Sequence, residues 1–152
     1  METPLPDSNF FVQPATGDEA VLAFSHRGAS SYAFYSLLAP LVQTKVFLRD
    51  PNDDWYNRGL PCIAGGLPGL CDHLKKVIQQ LGLKRVGALG ASMGGYGAIL
   101  VGATLGIDRV LALVPQTILD KRFPLSPACD SAYDIADLYP LAAAAAGTKI
   151  DI

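Results

Sequence analysis

Short unbroken apolar runs alternate along this chain with longer stretches whose apolar residues recur at helical spacing, and clusters of Gly, Pro, Ser, Asn and Asp separate them. Residues 20–24 form the first clear run and stop at Ser25-His26-Arg27-Gly28, as a strand buried on both faces does before a turn. Phe34, Leu38 and Leu41 keep helical spacing, so a short helix is expected to end near Ala39, ahead of Pro40. A second strand is expected over 45–48, closed by the turn formers of 49–54. Leu70, Leu74, Val77, Ile78 and Leu81 predict a helix over about 68–81, with Gly82 as its C-cap glycine. Residues 85–89 predict a third buried strand, 90–95 a glycine-rich turn, and 96–101 a helix of small and apolar residues. The run 110–114 resumes the sheet, a last helix is expected within 133–146 with a break near Pro140, and 149–152 read as a strand beginning. Residues 1–19 have little periodicity and read as a flexible N-terminal arm or an edge element, leaving 20–152 as one domain.

Strands alternating with helices at this spacing imply an α/β fold with a mainly parallel sheet and helices on both faces. Active crevices in such sheets lie beyond the carboxyl ends of the strands. The loops at 25–31, 49–66, 90–95 and 115–130 all follow predicted strands, so they are expected to share one edge of the sheet. The long loop at 49–66 carries Trp55 and Tyr56, which read either as a wall of a substrate pocket or as core packing.

Half of the 152 residues are hydrophobic, enough for one sizeable core. Twelve Lys and Arg against fourteen Asp and Glu leave no basic surplus, so no nucleic-acid partner is expected. Three cysteines without a CxxC pair fit a reducing compartment, and the first residues lack the basic start and apolar run of a secretory signal; a cytoplasmic location is expected. No apolar stretch reaches the roughly 18–20 residues of a membrane span. Cys71, on the predicted helix 68–81, has no partner at metal-ligand spacing, and neither a metal nor a cofactor is expected.

Gly90-Ala91-Ser92-Met93-Gly94 fits the G-x-S-x-G pattern between a predicted strand and a predicted helix. The spacing has a physical cause: the serine sits on a sharp turn, and flanking glycines leave room where a Cβ would collide. A serine there projects above the sheet, and the next backbone N–H, that of Met93, points into the same space. Together with the βαβ series, this stretch resembles the elbow of the α/β-hydrolase family, and the resemblance covers about residues 20–152. It implies Ser92 as nucleophile and the Met93 N–H as one oxyanion donor. The second donor comes in that family from the loop after an earlier strand, here Ser25-His26-Arg27-Gly28, which makes Arg27 and Gly28 the candidates. That loop lacks the fuller His-Gly-Gly-Gly form.

The family's acid and histidine follow the serine in chain order, but the only histidines, His26 and His73, both precede Ser92. The chain is therefore expected to be the N-terminal portion of a longer hydrolase, with little activity alone. His26 is the candidate base within the chain, and His73 reads as a surface residue. Asp120 follows the strand 110–114 and is the candidate acid; Asp130, Asp134 and Asp137 have no better claim, and Asp151 reads as preceding the usual acid position.

These residues point to a serine hydrolase acting on an ester or other acyl bond of a small molecule through an acyl-enzyme at Ser92. An acyltransferase would use the same serine. A non-catalytic binding module that keeps the elbow for packing is the alternative. A nucleotide-binding fold fits poorly, because Gly87, Gly90 and Gly94 give neither of the phosphate-loop spacings. An incomplete sheet would also expose an edge through which copies of the chain associate.

Overall fold

The computed structural model describes residues 8–120, 122 and 135–152. Ten elements alternate along it: β1 (Phe10–Gln13), β2 (Glu19–Phe24), α1 (Tyr35–Leu38), β3 (Thr44–Leu48), α2 (Gly66–Gln80), β4 (Arg85–Ala91), α3 (Met93–Leu105), β5 (Arg109–Leu113), α4 (Tyr139–Ala144) and β6 (Lys149–Asp151). They build one six-stranded sheet in the order β1-β3-β2-β4-β5-β6. All neighbours are parallel except β1, which runs antiparallel to β3 with Phe10 opposite Leu48. The stretch read as an arm or an edge element thus supplies the edge strand β1 from residue 10 onward.

Side chains alternate across the strands as the period of two requires. Leu22, Phe24, Val46, Leu48, Val86, Ala88, Val110 and Ala112 face the larger core, shared with Leu70 and Leu74 of α2 and with most of α3. Ala23 and Phe47 face the opposite way, with Tyr32 and Leu38 of α1. Helices therefore cover both faces, but unevenly. Leu111 and Leu113 share the second face with Leu89 and are 43% and 41% exposed. No helix of the described residues is long and apolar enough to cross a membrane.

Two helices differ from the expectation for identifiable reasons. The glycine-rich turn is already helical from Met93, because the elbow feeds straight into the first turn of α3. Pro140 lies in the first turn of α4 instead of interrupting it, where its missing N–H costs no helical hydrogen bond. Gly82 follows α2 at φ 64°, the left-handed C-terminal position expected of it. The predicted start at Tyr133, with Asp130 and Asp134, lies outside the described residues.

Candidate functional site

Parallel neighbours put the ends of β2, β3, β4 and β5 at one edge. Phe24 pairs with Gly90, so the loop after β2 lies beside the turn that carries Ser92. This turn is held by close contacts that only glycine permits. A Cβ on Gly90 would stand 2.0 Å from the Gly94 carbonyl oxygen, and one on Gly94 would stand 2.3 Å from the Phe24 carbonyl oxygen. The helix α3 thus enters against the backbone of β2, and the glycines on either side of Ser92 set that approach.

Ser92 itself adopts φ 52° and ψ −121°, outside the regions open to ordinary L-residues. Its N–H donates to the Leu113 carbonyl at 2.9 Å and its carbonyl accepts from Tyr96 N–H at 3.1 Å, so both sides of the turn are tied to neighbouring elements. The side chain is half-buried. Met93 opens α3 with its own side chain fully buried, and its N–H belongs to the first turn, whose donors have no acceptor within the helix. A helix of 13 residues adds a partial positive charge at the same end.

The loop after β2 is equally fixed. Ser25 is fully buried: its N–H donates to Leu48 O at 2.9 Å, its Oγ accepts from Ala33 N–H at 3.1 Å, and its carbonyl accepts from the Tyr56 hydroxyl at 2.8 Å. His26 is exposed and its Nδ1 lies 2.9 Å from the Arg27 carbonyl, a contact in which Nδ1 is the donor because a carbonyl only accepts. The Arg27 N–H has no acceptor among the described residues. The Gly28 N–H donates to Asp53 Oδ1 at 2.9 Å. Arg27 Nε lies 3.6 Å from Asp53 Oδ2, and the guanidinium sits 5.6 Å over the Trp55 ring.

The loop after β3 carries that support, and neither Asp50 nor Asp53 is marked by any sequence motif. Asp53, Trp55 and Tyr56 all have left-handed backbone, with φ of 54°, 52° and 59°, each costing on the order of 1 kcal/mol. The buried Asp50 offsets part of that by accepting from Asn52 N–H at 3.1 Å and Tyr56 N–H at 3.0 Å. Burial nevertheless pushes its carboxyl above the usual carboxylate value, and those two N–H bonds only partly counter it. Trp55 and Tyr56 are buried, 1% and 0% exposed, which places them in the core and not along a pocket wall. Tyr56 fills the space left by Gly97, where a Cβ would meet its ring at 2.4 Å. Tyr96, one turn after Ser92, takes a hydrogen bond from Asn57 Nδ2 at 3.1 Å and donates to the Ile135 carbonyl; burial pushes its phenol up to about 12.

The remaining candidates scatter. Asp120 accepts from Arg122 Nη2 at 2.6 Å and from Arg122 N–H at 2.9 Å, which lowers its carboxyl to about 2. Asp137 caps the Tyr139 N–H at 2.8 Å, and Asp151 pairs with Arg109 Nε at 2.7 Å within the sheet. His73 is half-buried and not a free surface side chain, because α2 lays it edge-on against Phe10 of β1 at 4.9 Å. Cys71 is buried, and desolvation raises its thiol. Among the described residues no group of three His, Cys, Asp or Glu is placed to hold a metal. An open groove of about 340 Å³ lined by Glu19, Val21, Leu41 and Arg85 lies at the amino ends of the strands, the edge opposite Ser92.

No protein-family model matches the chain, and no curated protein does. Solved structures do. It is similar to part of a glycosylation-associated protein complex from Streptococcus agalactiae, at 19% identity and a TM-score of 0.61, over 72% of this chain and 22% of that one. It is similar to the capsule O-acetyltransferase of Neisseria meningitidis serogroup A at 24% identity and a TM-score of 0.52, over 72% of this chain and 48% of that one. The fluorophosphonate-binding serine hydrolase F of Staphylococcus aureus aligns over 90% of this chain and 60% of its own, at 16% identity and a TM-score of 0.52. The six-stranded, mainly parallel sheet with its strand–turn–helix centre matches part of the α/β-hydrolase fold. This chain spans roughly a fifth to three fifths of the solved chains it matches.

Proposed function

We propose that this chain carries the nucleophile part of a serine hydrolase acting on an ester or other acyl bond of a small molecule. The observation that carries the reading is the backbone of Ser92, held at φ 52° and ψ −121° by glycine contacts and two hydrogen bonds at the end of a central strand. Strain kept at one residue against alternatives that cost less is a mark of a functional position. In the proposed reaction Ser92 Oγ attacks the acyl carbon while its proton passes to a base. The oxyanion is held by the N–H groups of Met93 and Arg27; Gly28 is the other candidate, but its N–H is engaged by Asp53. The C–O bond to the leaving alcohol then breaks, the proton goes to that alcohol, and water releases the acid. His26, exposed on the loop after β2, is the candidate base within this chain; otherwise the histidine comes from outside it. Asp120 remains the candidate acid, although Arg122 already engages it.

An acyltransferase passing the acyl group to an alcohol is favoured by the likeness to the meningococcal O-acetyltransferase, of which a complex with CoA is known. A non-catalytic binding module that keeps the elbow for packing is the alternative. Fluorophosphonate labelling with peptide mapping separates enzyme from module. Label confined to Ser92 and lost in Ser92→Ala is expected. A folded chain that takes no label, alone or joined to a histidine-bearing remainder, overturns the nucleophile assignment.

A further inference from the structure

The loop after β2 already binds a carboxylate. Asp53 presents Oδ1 to the Gly28 N–H at 2.9 Å and Oδ2 to the Arg27 guanidinium at 3.6 Å, so a planar two-oxygen anion is gripped by one amide and one cation. Arg27 lies over Trp55, and its terminal nitrogens have no acceptor among the described residues, which leaves its fork able to take an incoming carboxylate in place of Asp53. The pair is part-exposed, 49% for Arg27 and 32% for Asp53, and exposed pairs of this kind hold weakly. Asp53 also reaches the site with φ 54°. The weak pairing makes its carboxylate a ligand that leaves readily.

We propose that Arg27 and Gly28 form a carboxylate subsite that Asp53 closes in the resting protein, and that an acyl substrate carrying its own carboxylate displaces Asp53 there. The subsite stands without Ser92; only the assignment of its ligand as the acyl substrate rests on the proposed function. β2 and β4 are adjacent, and neighbouring strands lie about 4.8 Å apart. A carboxylate a few bonds from the ester carbonyl therefore reaches from the Ser92 turn to the Arg27 loop, as in the monoester of a short dicarboxylic acid.

Trp55 is the sole tryptophan and lies under the guanidinium, so its fluorescence reports on the subsite directly. The full chain is titrated with monomethyl succinate at constant ionic strength, with methyl butyrate as the neutral control and the Gly28 amide shift in 15N spectra as a second readout. Saturable binding of monomethyl succinate alone is expected. Asp53→Gly, which suits the left-handed backbone, is expected to bind about tenfold tighter because the internal competitor is gone. Asp53→Asn, which also tolerates that backbone, serves if the glycine variant does not fold. Arg27→Gln is expected to bind at least about tenfold more weakly. The proposal is overturned if a folded Asp53 variant binds no tighter than the parent, if Arg27→Gln binds equally well, or if inorganic phosphate competes on equal terms. Ser92→Ala is expected to bind normally, so loss of catalysis and loss of the subsite are read apart.

Discussion

The hydroxyl of Ser92 is presented by a backbone that glycine would adopt at no steric cost. Removing the Cβ there should relieve the strain, whereas alanine keeps it. Ser92→Gly is therefore expected to be more stable than Ser92→Ala by about 1 kcal/mol in denaturant unfolding, although both abolish labelling. Equal stability of the two would mean that the turn is not strained in solution. Ser92 and its glycines were legible in the sequence because the elbow is a local pattern five residues long. The Gly28–Asp53 contact was not, because it joins positions 25 residues apart with no periodicity or motif to tie them. Asp50 was hidden for a similar reason: a buried aspartate in a turn-rich stretch looks like any solvated loop residue until its N–H partners are known.

Among the elements, α3 shows how far the site depends on small side chains. Four glycines fall within Met93–Leu105, costly for an isolated helix, yet each abuts something a Cβ would strike or crowd. Gly94→Ala is expected to destabilise by more than about 2 kcal/mol, because its Cβ would meet backbone that has no rotamer to yield. Gly106→Ala, at the C-cap with φ 65° and open space around it, should cost only the backbone penalty of about 1 kcal/mol. Urea melts of the two variants test the contrast, and similar losses would sink it. The central strands and α2 were read correctly from periodicity, since long buried elements carry the strongest signal. β1 is not separable from a mobile arm by pattern alone, because four half-buried residues on one edge are too short a stretch to show a period.

At the scale of the whole molecule, the sheet has one well-filled face and one that, among the described residues, carries only α1. Leu111 and Leu113 line the more exposed part, and Val114 next to it is 89% exposed. The double variant Leu111→Gln and Leu113→Gln is expected to leave the melting temperature within a few degrees, because half-exposed side chains contribute little folding energy. Sedimentation velocity is expected to show less self-association than the parent at the same concentration. A large drop in melting temperature would instead mean that these leucines are covered in solution.

Ten consecutive residues of α3, Met93 to Gly102, are buried, so no side of this helix is free to vary independently of the sheet. The practical consequence concerns how mutational scans of this protein are interpreted. Substitutions along the segment will depress whatever activity is assayed, and most will do so by lowering the amount of folded protein rather than the rate per molecule. Specific activity normalised to folded fraction is needed before any residue there is credited with chemistry. For the same reason the serine and its turn are not a cassette: grafted elsewhere without their backbone neighbours, they would bring the sequence but not the geometry.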